Sequence, residues 1–323
     1  MRRDKLSELA LITIATATLL TGPAGASQVS GLGSHAAPGL SLGAAKGQSY
    51  RTASWMKPLG ASTNLAYISD FLANDVTVFS VGGAVQGQIG GLSNPGGIFV
   101  DSKHNLWVAN NGANNILEFA RGATSPSNTL SDPGAGPLDV TICGRDTIYV
   151  AGSNSASIEV YTKGSTSPTR SLTYAGSQQT DALTCDAAGN VFATVVVSFH
   201  GGVVEFPGGK QRGATLLPIS LSGPGGIKPD DAGNLLVDDQ SAQTITEYTE
   251  AGAPTGSAIH TASDCINFGV MRNSKIVGCA VYAASGTSGG QSYAFPVGTL
   301  RQTYTSSFTL PYGFAFDPGQ AGL

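Results

Sequence analysis

Acidic, amide and imidazole side chains recur in this 323-residue chain beside short apolar runs that have the composition of β-strands. The residues that could act together are Asp70, Asn110, Asn111, Asp181, Asp238, Asp239, Asp264, His200 and His260. Carboxylate and amide oxygens are the ligands that a hard divalent ion prefers. A histidine beside such an ion could serve as a general base. The residue types therefore permit an ion-dependent site, provided that the fold brings these strand ends together.

The same residues also have a structural use, because Asp and Asn at strand ends accept hydrogen bonds from the backbone N–H groups of turns. The acids are unevenly spread as well, since Asn110 and Ser153 stand in two units where Asp70 and Asp238 stand in others. His35 and His104 have no partner at metal-ligand spacing. We predict ligand binding at Asp70, Asn110, Asp181, Asp238, Asp239 and Asp264. We expect no catalytic residue and no cofactor, with a calcium or magnesium ion as the alternative.

The elements that must position these residues follow from one hairpin. The stretch PGGIFVDSKHNLWVAN, from Pro95 to Asn110, predicts two strands joined by a polar turn. Second strands of matching hairpins begin at Leu65, Leu106, Ile148, Val191, Leu235 and Ile276, in steps of 41 to 44 residues. Two further short runs, the predicted third and fourth strands of the unit, follow each hairpin. Four-stranded units of this length are typical of propeller blades, so we predict an all-β, six-bladed β-propeller of four-stranded antiparallel blades.

The two ends of the repeat are incomplete in complementary ways. The repeat begins with a second strand, LAYISD at Leu65, and ends with a first strand, PYGFAFDP from Pro311 to Pro318. We predict that these strands pair, because an unclosed ring would expose two strand edges. In such a ring the loops after the second strands and before the first strands gather at one mouth of the central channel. His104 is expected at the opposite mouth.

The first 26 residues predict a secretory signal peptide. Arg2, Arg3 and Lys5 precede an uncharged run, and Ala24 to Ala26 form a small-residue cleavage site. We divide the chain into a signal peptide (1–26), a Gly/Ala/Ser-rich leader (27–63), the propeller (64–318) and a short tail (319–323). The expected location is secreted, periplasmic or on the cell surface.

Composition restricts the partners. The net charge is −4 and only 12% of residues are charged, which argues against nucleic acid, whose binding needs clustered Lys and Arg. No basic amphipathic segment indicates a membrane surface, and we expect no membrane insertion after signal cleavage. The predicted partner is a protein, a small molecule or a carbohydrate, bound by a monomer.

Four cysteines, Cys143, Cys185, Cys265 and Cys279, are candidate disulfide residues. An even number in an exported chain favours disulfides, with three pairings open, while buried free thiols are the alternative. A bridge from Cys265 to Cys279 would require a local bulge, because the two residues are about two positions out of register.

The pattern in PGGIFVDSKHNLWVAN, found more loosely in GPGGIKPDDAGNLLVDD, resembles the NHL-repeat propellers over residues 65–318. The fourth and sixth blades depart most from it. The resemblance implies either a binding module or an enzyme of the streptogramin lyase or gluconolactonase type. We predict a binding or interaction module. The alternative is a divalent-cation-dependent lyase or hydrolase that acts at the channel mouth.

Overall fold

The computed structural model describes residues 53–60, 62–144, 146–271, 275–283 and 288–318, which form a six-bladed β-propeller. The predicted signal peptide, His35 and the tail lie outside the described residues, so the proposed domain boundaries stay predictions. No helix in the described part of the chain is long and apolar enough to cross a membrane.

The strands are numbered in chain order, and blade 1 takes strands from both ends of the repeat. It contains β1 (Trp55–Met56), β2 (Leu65–Asp70), β3 (Asp75–Ser80), β4 (Val85–Ile89) and β25 (Pro311–Asp317), in the order β1-β4-β3-β2-β25. The short β1 is a fifth strand at the outer edge of this blade, and it lies within the predicted leader.

Blades 2 to 6 each use four consecutive strands. Blades 2 and 3 contain β5 (Pro95–Val100), β6 (Leu106–Asn110), β7 (Asn115–Phe119), β8 (Asn128–Ser131), β9 (Pro137–Cys143), β10 (Thr147–Gly152), β11 (Ile158–Tyr161) and β12 (Arg170–Leu172). Blades 4 and 5 contain β13 (Ser177–Cys185), β14 (Val191–Val197), β15 (His200–Phe206), β16 (Thr215–Leu221), β17 (Pro224–Pro229), β18 (Leu235–Asp239), β19 (Thr244–Tyr248) and β20 (Pro254–His260). Blade 6 contains β21 (Asp264–Met271), β22 (Ile276–Tyr282), β23 (Gly289–Ala294) and β24 (Thr299–Tyr304).

The core lies between blades, because both faces of each blade carry apolar side chains. Phe99 on β5, for example, packs in one cluster with Val140 on β9 and Ile148 on β10. Equivalent clusters join every neighbouring pair of blades among the described residues. Burial of these β-branched and aromatic residues holds the first strands of all six blades around one axis.

Ring closure is confirmed. In blade 1, Phe314 pairs with Ile68 and Phe316 pairs with Ala66. Arg121 reinforces the closure from blade 2, because its Nε lies 2.6 Å from Oδ2 of Asp317 and its guanidinium also donates to the backbone oxygen of Thr63.

All four cysteines form disulfides, one between blades and one within a blade. Cys143 and Cys185 end the neighbouring inner strands β9 and β13 and lie 6.0 Å apart at Cα. Cys265 and Cys279 join β21 to β22 with a Cα separation of 5.7 Å. The bulge expected for the second bridge is present, since the register shifts between Cys265 and Asn267. Disulfides of this kind are typical of oxidising compartments.

Candidate channel-mouth site

The second strand of every blade ends on one face of the ring, which we call the mouth face. Three of the predicted site residues, Asp70, Asn110 and Asp239, are the last residues of β2, β6 and β18, and all three are buried. We call them the outer row. The structure thus places them at equivalent positions in blades 1, 2 and 5.

The oxygen atoms of the outer row are occupied by loop backbone. Asp70 accepts N–H groups from the turn after β2, at Leu72 and Ala73, and from the loop before β25, at Thr309 and Leu310. Asn110 accepts the N–H of Ser93 at 2.7 Å, and Asp239 accepts those of Ser222, Gly223 and Ala242. Asp70 and Asp239 therefore stabilise both the loop that follows the second strand and the loop that leads into the inner strand of their blades. Asn110 stabilises only the loop that leads into the inner strand.

The innermost strands carry a second row of positions nearer the axis. Each inner strand has a register break close to the mouth face, where it holds one residue more than its partner strand. The first residues of these bulges, in ring order from blade 1, are Tyr312, Gly96, Leu138, Asp181, Gly225 and Ile266. We call these six residues the bulge ring. A bulge changes the direction in which a side chain points. The six bulges lie at the same level of the ring.

Side chains of the bulge ring from separate blades meet. Tyr312 and Leu138 pack with Phe71 and Leu310 in a buried apolar cluster, and Leu72, Ile266 and Tyr282 pack against it. The rings of Phe71 and Tyr312 are 5.6 Å apart. These residues, named here the mouth cluster, come from blades 1, 3 and 6. Apolar and aromatic groups from three blades therefore pack together at the mouth face.

Asp181 is the bulge-ring residue of blade 4. Its Oδ1 accepts a hydrogen bond from the side-chain amide of Gln179. Its Oδ2 is shielded from solvent and has no hydrogen-bond partner among the described residues, although the residue as a whole is partly exposed. Burial raises the pKa of Asp181 to about 7. The pKa of Tyr312 is raised by burial, and then by the nearby charges of Asp181 and Asp139. Asp181 follows Leu138 of the mouth cluster in the bulge ring, one blade further round.

A buried ion pair lies in the same region of the ring. Lys228 on β17 places its Nζ 3.4 Å from Oδ2 of Asp139 on β9, and both side chains are almost fully buried. The same Oδ2 accepts the N–H of Leu183 at 3.1 Å, whereas Oδ1 has no partner among the described residues. Because β9 and β17 belong to blades 3 and 5, the pair connects two blades that are not neighbours.

The remaining acids lie at blades 5 and 6. Burial raises the pKa of Asp238 well above its usual range, and the charges of Asp239 and Asp264 add to this, while the N–H of Gly226 acts in the opposite direction. Oδ1 of Asp264 accepts a hydrogen bond from Nε2 of Gln243 at 3.0 Å. Within the described residues, no group of three or more His, Cys, Asp or Glu side chains is placed to hold a metal ion.

The other predicted residues lie apart. Asn111 links blade 2 to blade 3 through Oγ of Ser153 at 3.2 Å. His200 begins β15 and His260 ends β20, and both are exposed. His104 lies on the opposite face, as predicted, where its Nδ1 contacts Oδ1 of Asp317.

Blade 4 also extends further at the mouth face than its neighbours. Strands β14 and β15 have seven residues each and are joined by a two-residue turn, Ser198 and Phe199. Both turn residues have positive φ angles, 51° and 66°, and Phe199 is 76% exposed. Its N–H donates to Oε1 of Gln178 at 2.9 Å, which ties the hairpin tip to the strand that carries Asp181.

Sequence reasoning included Asp181 but missed the rest of this arrangement. Tyr312, Leu138 and Ile266 lie in apolar first strands, where they resemble ordinary core residues. Asp139 and Lys228 gave one usable signal, since each is a charged residue inside an otherwise apolar inner strand, and such residues are rarely buried without a partner.

The sequence matches no protein-family model and no curated protein, whereas many solved structures share the fold. A chain of the nidogen/laminin complex has a TM-score of 0.66 at 13% identity, covering 78% of this chain and 98% of its own. Virginiamycin B lyase from Staphylococcus aureus has a TM-score of 0.56 at 15% identity, covering 82% and 89%. Regucalcin from Agrobacterium tumefaciens, a calcium-binding protein, has a TM-score of 0.52 at 13% identity, covering 68% and 76%. At these identities the likeness shows the six-bladed propeller fold.

Proposed function

We propose that this chain is an exported, NHL-like binding module that takes a ligand at the mouth face. The observation that carries the proposal is the mouth cluster, where aromatic and aliphatic side chains from blades 1, 3 and 6 converge beside a single bulge-ring carboxyl group. Sites that bind small molecules are typically lined by apolar groups with a few polar ones. The outer row adds little to binding in this proposal, because its oxygen atoms already hold loop backbone.

The neutral probe 2-phenylethanol tests the proposal on the exported protein. In amide NMR spectra we expect shifts confined to residues around the mouth cluster. Substitution of the partly buried Tyr282 by alanine should weaken binding severalfold by removing aromatic contact area. Val297→Ala is the matched control, because Val297 is 78% exposed in a turn on the opposite face. Shifts on the opposite face, or none at all, would count against a binding site at the mouth.

Export is the second part of the proposal, supported by the signal-peptide pattern and the two disulfides. The mature chain should begin near Ser27, which N-terminal sequencing of the secreted protein can measure. A mature protein that retains Met1 would overturn this part.

A cation-dependent lyase or hydrolase is the second candidate, favoured by the structural likeness to virginiamycin B lyase and regucalcin. Calcium or magnesium would then raise the melting temperature in a saturable way that Asp238→Asn abolishes. Under the binding-module proposal, chelators leave both stability and 2-phenylethanol binding nearly unchanged.

A further inference from the structure

The geometry of the bulge ring points to a ligand class. We infer that the ligand at the mouth carries a protonated amine on a compact apolar body, and that Asp181 binds the amine. This inference rests on the proposed function and adds the chemistry of the ligand.

The first argument is the isolation of Asp181. At the five equivalent positions the bulge ring has two glycines, a leucine, an isoleucine and a tyrosine, so Asp181 is the charged member of the six. Lys228 is paired with Asp139, and the side chain that hydrogen-bonds to the Asp181 carboxyl group is the neutral amide of Gln179. A shielded carboxylate oxygen without a donor is costly to keep. A ligand that supplies an N–H donor and a positive charge would remove that cost.

The second argument is the surroundings of this carboxyl group. Tyr282 of the mouth cluster is partly exposed and offers an aromatic face, and a cation is attracted to such a face. Phe71 and Tyr312 of the same cluster are buried. Tyr312 is uncharged at neutral pH, and burial together with the nearby acids raises its pKa further above the ordinary value of 10.0. The apolar part of a ligand can pack on the aliphatic members of the cluster, Leu72 and Ile266.

The same groups disfavour the other ligand classes. An anionic ligand would be repelled by the carboxylate of Asp181. A carbohydrate needs several polar partners around each sugar, whereas the bulge ring supplies one carboxyl group. A metal ion would need additional ligands, and the described residues contain no group of three acids, histidines or cysteines that could provide them.

Oδ1 of Asp181 is already held by a hydrogen bond from the Gln179 side-chain amide, and Gln179 is itself only partly buried. Rotation of this side chain would free Oδ1 while the strand backbone stays in place. Gln179 therefore acts as a replaceable partner that the ligand amine displaces.

Three probes with one aromatic body separate charge from contact: 2-phenylethylamine, 2-phenylethanol and 3-phenylpropanoate. Binding to the exported protein is measured by NMR titration at pH 8. We expect the amine to bind at least about tenfold more tightly than the alcohol, as for a desolvated charge pair, and the propanoate to bind most weakly. Asp181→Asn should lower the amine affinity to that of the alcohol. Gln179→Ala should keep or increase the amine preference, which guards against a folding defect in the first variant.

The control is Asp146→Asn, the same charge change at an exposed acid on the opposite face that pairs with Lys103 and Lys163. It should leave all three affinities unchanged. Equal binding of amine and alcohol, or an amine preference that survives in Asp181→Asn, overturns the inference while mouth binding stands. Failure of all three probes to shift residues at the mouth overturns both the inference and the proposed function.

Discussion

The mouth face carries acids in two rows that use their oxygen atoms differently. In the outer row, Asp70 accepts four backbone N–H groups from two separate loops. In the bulge ring, Asp181 has one side-chain partner on Oδ1, and its Oδ2 is shielded without a partner. Both carboxyl groups lie near the mouth face, Asp70 at the end of β2 and Asp181 at a bulge inside β13. The first completes the fold and the second is left available. An acid near a channel is therefore a binding candidate only when its hydrogen-bonding capacity is unspent.

The largest effect that separates the two rows should come from Asp70→Ala. The substitution leaves four N–H groups at a buried blade end without an acceptor, and each buried unsatisfied donor costs about 1–3 kcal/mol. We expect a loss of at least about 3 kcal/mol in the free energy of unfolding, measured by urea denaturation. Asp70→Asn should cost less, because one oxygen remains. Asp146→Asn, an exposed control, should change stability by no more than about 0.5 kcal/mol.

Asp181→Leu, in contrast, is expected to increase the free energy of unfolding. This substitution removes a buried, poorly paired carboxyl group and introduces the residue that Leu138 already places at the same bulge in blade 3. Replacing such a charge by a hydrophobic side chain is often stabilising, so we expect a gain of about 1–2 kcal/mol at pH 8. The reverse exchange, Leu138→Asp, should destabilise the protein. A loss of stability in Asp181→Leu would show that the carboxyl group is structural after all.

The pH dependence of that gain follows from the raised pKa of Asp181. Its pKa is about 7 in the folded protein and 3.8 for an ordinary Asp, so between these values the folded state binds more protons than the unfolded state. The stability of the wild type relative to Asp181→Asn should therefore fall as the pH rises from about 4 to about 7, and stay constant above that. The neighbouring groups that face Asp181 are Gln179, Tyr312 and Asp139. They are present in both proteins, so their contributions to the pH dependence cancel to first order in the stability difference. Parallel urea denaturation curves at pH 4, 5.5, 7 and 8.5 measure it, and a difference that is flat with pH would contradict the placement of this carboxyl group.

The fold was predictable because it is repeated. The predicted starts of the second strands agree with the structure to within one residue, with β10 beginning at Thr147 rather than Ile148. Ring closure followed from the two unpaired strands at the ends of the repeat. The cysteine pairing was left open, and it is fixed by Cys143 and Cys185 ending neighbouring inner strands.

The site was less predictable, because its geometry depends on strand register. The bulges arise where one strand holds an extra residue against its partner, and this is invisible along a single strand. The pair of Asp139 and Lys228 spans 89 residues of sequence. Asp181 was included among the candidate acids, but it stood on equal terms with Asp70, from which only the hydrogen bonds distinguish it.

The smallest expected effect concerns the hairpin that carries Phe199, and it separates contact from charge at the mouth. Replacing Ser198 and Phe199 by Asn and Gly suits a two-residue turn with positive φ at both positions, so stability should rise by about 1 kcal/mol. The same change removes an exposed ring next to the strand of Asp181, and we expect the affinities for 2-phenylethylamine and 2-phenylethanol to fall together, by about two- to threefold. Their ratio should stay constant, because the carboxyl group is untouched. Val297→Ser, at an exposed apolar residue on the opposite face, should alter neither affinity. If both affinities survive the hairpin exchange, the binding surface is confined to the bulge ring and the mouth cluster, and the strain at Phe199 needs a different explanation.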